Sequence, residues 1–120
     1  KELFMKVLVT GASGLVGYHT VKRMLAGGHE TLALIRKSSN DEKLKALGPQ
    51  LRIVRAELND SESLRLLLSG VDVLVHAAGM VDPHAGRQQM YEVNVESLKN
   101  LLAAADAAGV RHFIHISSLS

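Results

Sequence analysis

The sequence predicts a doubly wound α/β fold, a parallel sheet of five strands in the order 3-2-1-4-5 with helices on both faces. Three observations lead there. Short apolar runs alternate along the chain with stretches of helical periodicity. Each connection between runs is long enough to hold a helix, and right-handed crossovers of that length make the strands parallel. A glycine-rich loop, Gly11-Ala12-Ser13-Gly14-Leu15-Val16-Gly17, joins the first apolar run to the first helix.

Val7-Leu8-Val9 is apolar without alternation, as in a strand buried on both faces, and Thr10-Gly11 closes it. The helix after it places Tyr18, Val21 and Leu25 on one face, with Gly14 and Gly17, and ends at Gly27-Gly28. Thr31 to Ile35 is the second strand. Asn40 to Leu47 is a short helix stopped by Gly48-Pro49, and Leu51 to Val54 is the third strand. Asp60 or Ser61 caps a helix with Leu64, Leu67 and Leu68 on its inner face and Gly70 after it. Val71 to His76 is the fourth strand. A loop with Asp82-Pro83 leads to a long helix over residues 88–108, with Met90, Val93, Leu98, Leu101, Leu102 and Ala105 expected toward the core. Gly109 ends it, and Phe113 to Ile116 is the fifth strand.

Composition narrows the function. At 120 residues the chain suits one domain. With 47% hydrophobic and 22% charged residues it is too apolar for disorder. Aromatic residues make up 3% and the net charge of +2 is scattered, so neither a stacking platform nor a basic stripe for nucleic acid is present. No apolar run approaches the roughly 18 residues that suggest a membrane span. Cysteine is absent, which excludes disulfides and thiolate metal sites. The six histidines are dispersed, with His112 and His115 on opposite faces of one strand, so no metal is expected. His84 reads as a solvated loop residue. Residues 1–5 carry no signal-peptide pattern, Met5 reads as the natural start, and a cytoplasmic location is expected.

The glycine loop carries the chemistry. Gly11 permits a tight turn off the strand, Gly14 leaves room for a pyrophosphate, and Gly17 lets the helix sit close to the sheet. The helix N-terminus offers unpaired N–H groups and a partial positive charge to the anion. A P-loop is excluded, because no Lys-Ser/Thr pair follows the glycines. A strand, this loop and a helix in that order mark a Rossmann-type dinucleotide-binding domain.

Val9-Thr10-Gly11-Ala12-Ser13-Gly14-Leu15-Val16-Gly17 resembles the signature of the extended short-chain dehydrogenase/reductase family. Four more segments follow that family in order. Ala56-Glu57-Leu58 resembles its G-D-L element, and Val75-His76-Ala77-Ala78-Gly79 its H-x-A-A element. Asn94-Val95-Glu96 to Asn100-Leu101-Leu102 resembles its N-V-x-G-T-x-N-L-L helix, and Phe113 to Ser118 its strand ending in Ser-Ser. Dihydroflavonol-reductase-like and 3β-hydroxysteroid-dehydrogenase-like members look most similar. The resemblance implies that Gly11, Ser13, Gly14, Leu15, Val16, Gly17, Glu57, Leu58, Ala77, Ala78 and Gly79 contact the cofactor. It also implies that Ser118 hydrogen-bonds substrate beside a catalytic Tyr, whereas serines such as Ser117 and Ser118 at a strand end otherwise only cap a turn. Asn94, on the long helix, is expected in a structural role near the site. Glu57 departs from the family's Asp at the adenine contact, and Ser97 and Leu98 replace its Gly-Thr. The family's Tyr-x-x-x-Lys motif is expected beyond Ser120, with a substrate domain, and neither Tyr18 nor Tyr91 is expected to replace it.

At the end of the second strand an acid would bind the ribose hydroxyls of NAD. Arg36-Lys37 stand there instead, and Glu30 lies at the strand's other end. A guanidinium grips a 2′-phosphate by paired charge-assisted bonds, so NADP is expected; the alternative is a merely solvated pair of surface cations, with NAD possible as the cofactor. The expected whole is the NADP-binding portion of an oxidoreductase that moves hydride between nicotinamide and a carbonyl or alcohol. Nucleotide-sugar epimerase or dehydratase chemistry and a non-catalytic NADP-sensing regulator are the alternatives. The expected partner is a small-molecule substrate, with a homo-oligomer left open.

Overall fold

The computed structural model describes residues 4–77 and 86–116. In chain order the elements are β1 (Lys6–Thr10), α1 (Leu15–Ala26), β2 (Glu30–Ile35), α2 (Glu42–Lys45) and β3 (Arg52–Arg55). They continue with α3 (Ser61–Leu67), β4 (Val73–His76), α4 (Arg87–Ala108) and β5 (His112–His115). The sheet order is β3-β2-β1-β4-β5, and every neighbouring pair is parallel. This is the predicted Rossmann-like architecture.

Alternation along the buried strands feeds two cores, one on each face of the sheet. Leu8, Leu32, Leu34 and Leu74 pack on one face with Leu64 and Leu68 beside α3 and Leu101 of α4. Val7, Val9, Ala33, Ile35 and Val75 pack on the other with Val21 of α1 and Leu44 of α2. Each fully buried leucine contributes roughly 1.5–3 kcal/mol, so the two layers make the sheet a rigid platform for the loops at its ends.

Three expectations are corrected. The second helix is shorter than 40–47, because Asn40 accepts the Glu42 N–H at 2.8 Å in a turn of its own. β4 begins at Val73, not Val71; the Asp72 carboxylate is occupied accepting the Lys6 N–H at 2.9 Å. On α4, Val93 and Leu102 are 42% and 46% exposed rather than in the core. The buried stripe is Leu101, Ala104 and Ala105, with Leu98 and Ala108 half-buried, and at 100° per residue Leu102 falls off it. Among the described residues β5 is an outer strand, with Ile114 48% exposed.

Candidate functional site

The chain leaves β1 toward β2 and β3, then crosses to β4 on the other side of β1. That reversal opens a crevice at the C-terminal ends of the strands, where open α/β sheets place ligands. It holds about 480 Å³. The glycine loop forms its floor through Gly11, Ser13 and Gly14; Arg36 and Ser39 line it after β2; Glu57 and Leu58 line it after β3. His76 and Ala77 close the β4 side, and Val93, Asn94 and Ser97 reach it from α4.

The loop has the backbone its glycines require. Gly11 lies at φ 62°, in the left-handed region that favours glycine, and accepts the Gly14 N–H at 3.0 Å. Gly17 is buried; a Cβ there would collide with the Gly11 carbonyl and lie 2.9 Å from Ala12 Cα. Gly14 is exposed, and a Cβ on it would meet only the Gly11 carbonyl oxygen, at 3.4 Å. The space above Gly14 is therefore open to a ligand. Gly14 caps α1 without any side-chain hydrogen bond, and no acid stands in the first turn. Leu15 and Val16, 74% and 48% exposed, thus present a positive helix end through their backbone rather than their side chains. A pyrophosphate fits this surface.

The strand-two cations are arranged by residues of strand three. The Arg36 side chain is 71% exposed, and its Nε lies 3.9 Å from Glu57 Oε1, beyond hydrogen-bonding distance. The Lys37 N–H donates to Glu57 Oε2 at 2.9 Å. Arg55 donates to the carbonyls of Arg36, Lys37 and Ser39 at 3.0, 3.0 and 2.9 Å, and pairs with Asp41 at 3.0 Å. Sequence reasoning missed Arg55 and Asp41, and it missed that an acid reaches the end of β2 from β3. The parallel register Ile35↔Arg55 was the signal, since two residues further it sets Glu57 beside Lys37.

On the β4 side, Thr10 Oγ1 lies 2.7 Å from His76 Nδ1 and accepts the Ala77 N–H at 3.2 Å. His76 is 3% exposed and stacks on His115, ring centroids 5.2 Å apart. Burial, with the charge of His115 adding to it, pushes the His76 pKa down to about 4. The ring is neutral near pH 7 and adds no charge to the crevice. Asn100 donates to the Leu58 carbonyl at 3.1 Å, fixing α4 against the loop that carries Glu57. Asn94 is half-buried at the rim, and Ser97, in the family's Gly position, faces the crevice. Ala78, Gly79, His84, Ser117 and Ser118 lie outside the described residues.

Tyr18-His19-Thr20-Val21-Lys22 does have the Tyr-x-x-x-Lys spacing, but Tyr18 is not among the residues that line the crevice. On α1 the pair is a helical contact, Lys22 Nζ lying 5.8 Å from the Tyr18 ring centre and Lys43 Nζ 5.5 Å. Tyr18 borders a second hollow of about 410 Å³ with Ser13, Ser39, Asn40 and Lys43, whose lining does not include His76. Among the described residues no group of three His, Asp or Glu could hold a metal, and no helix is long and apolar enough to cross a membrane.

The model of the NAD dependent epimerase/dehydratase family matches residues 7–120. Sterol demethylase protein B of Methylococcus capsulatus is 38% identical over 95% of this chain and 34% of its own length. A 3-beta-hydroxysteroid dehydrogenase of Mycolicibacterium neoaurum is 36% identical over 96% of this chain and 32% of its own. The crystal structure of the dTDP-glucose 4,6-dehydratase DesIV of Streptomyces venezuelae, with NAD bound, superposes with a TM-score of 0.80 at 32% identity, covering 97% of this chain and 43% of that one. The chain thus spans about a third of the length of the curated relatives it matches.

Proposed function

The chain belongs to the NAD dependent epimerase/dehydratase family, and on that premise we propose that it is the NADP-binding portion of an oxidoreductase acting on a carbonyl or alcohol substrate. The observation that carries the reading is the exposed Arg36 side chain on the crevice wall, on the same crevice as the uncapped glycine-loop helix. The backbone of residues 13–16 binds the pyrophosphate at the helix end. Arg36 grips the 2′-phosphate that distinguishes NADP. When bound, the dinucleotide supplies the hydride acceptor or donor of the reaction. Ser118 orients the substrate oxygen in this reading, as the family resemblance implies, and proton transfer rests on a Tyr-x-x-x-Lys outside these 120 residues. This chain alone then binds cofactor without turnover. The likeness to a dTDP-glucose dehydratase favours, as a second reading, sugar-nucleotide chemistry on the same cofactor site.

Calorimetry with NADP and NAD tests the proposal. NADP binds about tenfold or more tightly than NAD, as expected for a hydrogen bond to a charged group. Arg36→Ala narrows that gap to near parity. Equal affinity for both cofactors in the parent chain overturns the NADP reading.

A further inference from the structure

We infer that Glu57 is a cofactor-specificity residue: its carboxylate opposes a 2′-phosphate beside Arg36 and instead accepts a ribose hydroxyl of NAD, so the crevice admits both dinucleotides. The inference rests on the reading of Arg36 above, and it moves Glu57 from the adenine contact that the family resemblance implies at this position to the ribose, because its carboxylate lies against Arg36 and the Lys37 N–H.

In dinucleotide folds the acid that receives the ribose hydroxyls stands at the end of the second strand. β2 ends at Ile35, and Arg36-Lys37 follow it where that acid would stand. The sheet brings one from next door. The β2–β3 ladder continues past the strand ends, with the Ala56 N–H donating to the Ile35 carbonyl at 3.1 Å. The next residue of that strand is Glu57, and its carboxylate reaches both cationic residues: 2.9 Å to the Lys37 N–H and 3.9 Å to Arg36 Nε. A shorter Asp, as the family resemblance implies here, would stop one methylene earlier.

The juxtaposition is held in place. Arg55 pins the carbonyls of Arg36, Lys37 and Ser39 and pairs with Asp41, so the loop cannot carry Arg36 away from Glu57. The two side chains themselves stay exchangeable, since at 3.9 Å and 71% and 40% exposure their ion pair contributes little. A ligand phosphate reaching Arg36 therefore meets a carboxylate of like charge. A neutral ribose hydroxyl meets an acceptor.

The test is the ratio of NADP to NAD affinity, by calorimetry, in the parent chain and in Glu57→Gln, Arg36→Ala and their combination. Glu57→Gln keeps the shape and an acceptor for the Lys37 N–H but removes the charge. It raises the ratio about fivefold, through tighter NADP binding, weaker NAD binding or both, with circular dichroism unchanged. Glu57→Asp, which draws the charge back by one methylene, raises it less and serves in place of Glu57→Gln if that variant does not fold. A ratio unchanged or lowered in folded Glu57 variants overturns the inference. If Arg36→Ala leaves the ratio unchanged, the Arg36 reading itself falls. If Arg36→Ala lowers the ratio while the Glu57 variants do not raise it, only the role of Glu57 falls.

Discussion

His76 makes the stability of this domain depend on pH over a window set by its burial. In the unfolded chain its imidazole takes a proton near pH 6.5; in the folded chain it does so only near pH 4. Between those values the unfolded state binds more protons than the folded one, so stability rises with pH. It is fully present above 6.5 and lost as pH falls from 6.5 through 4. A gap from 6.5 to about 4, at ~1.36 kcal/mol per pH unit, amounts to about 3 kcal/mol, a large fraction of a small domain's stability. Asp60, whose carboxyl is held below its ordinary 3.8 by hydrogen bonds from Ser63, titrates below this window. The perturbation is His76→Asn, and the assay is urea unfolding followed by circular dichroism at steps from pH 7.5 to 4.5. The parent should lose about 2–3 kcal/mol over that range and the variant should lose much less, whatever its absolute stability. Parallel pH profiles would refute the claim that burial keeps this ring neutral.

Other changes test the loop and its helices. Gly17→Ala forces a methyl into the Gly11 carbonyl and should cost at least about 2 kcal/mol in urea unfolding, as overpacking against backbone does. Gly14→Val has open space toward the crevice, so calorimetric cofactor binding should vanish while circular dichroism is retained. Asp60→Ala removes the acceptor for the Ser63 N–H at 3.2 Å at the start of α3, and should cost about 1 kcal/mol in thermal unfolding.

Much of this molecule was legible because local signals agreed. Continuous apolar runs such as Val7-Leu8-Val9 announce strands buried on both faces, and the chain order with its helical connections gives the sheet order. The glycine loop was legible residue by residue, because Gly11 and Gly17 answer local backbone demands. Side-chain facing on α4 was harder to read. Leu102 looks like core by hydrophobicity, yet it is exposed while Ala104 is buried, since tertiary contact and not apolarity chose the face. The wall at Arg36 was read one strand at a time. What surrounds Arg36 is set by β3, some twenty residues on; the sequence shows Arg55 only as a charge, and Glu57 as a cofactor contact but not as a neighbour of Arg36. The Tyr18–Lys22 pair shows the converse, where matching spacing on α1 reflects only a contact between the two side chains one helical turn apart.

The central claim is that the loop from Gly11 to Gly17 holds a nicotinamide dinucleotide. An amide NMR titration of the chain with NADP tests it most directly. Saturable, one-to-one shifts at the N–H groups of Ser13, Leu15 and Val16, joined by Arg36 and Lys37, are the result expected here. Shifts confined to other surfaces, or none at millimolar cofactor in a folded sample, would contradict it.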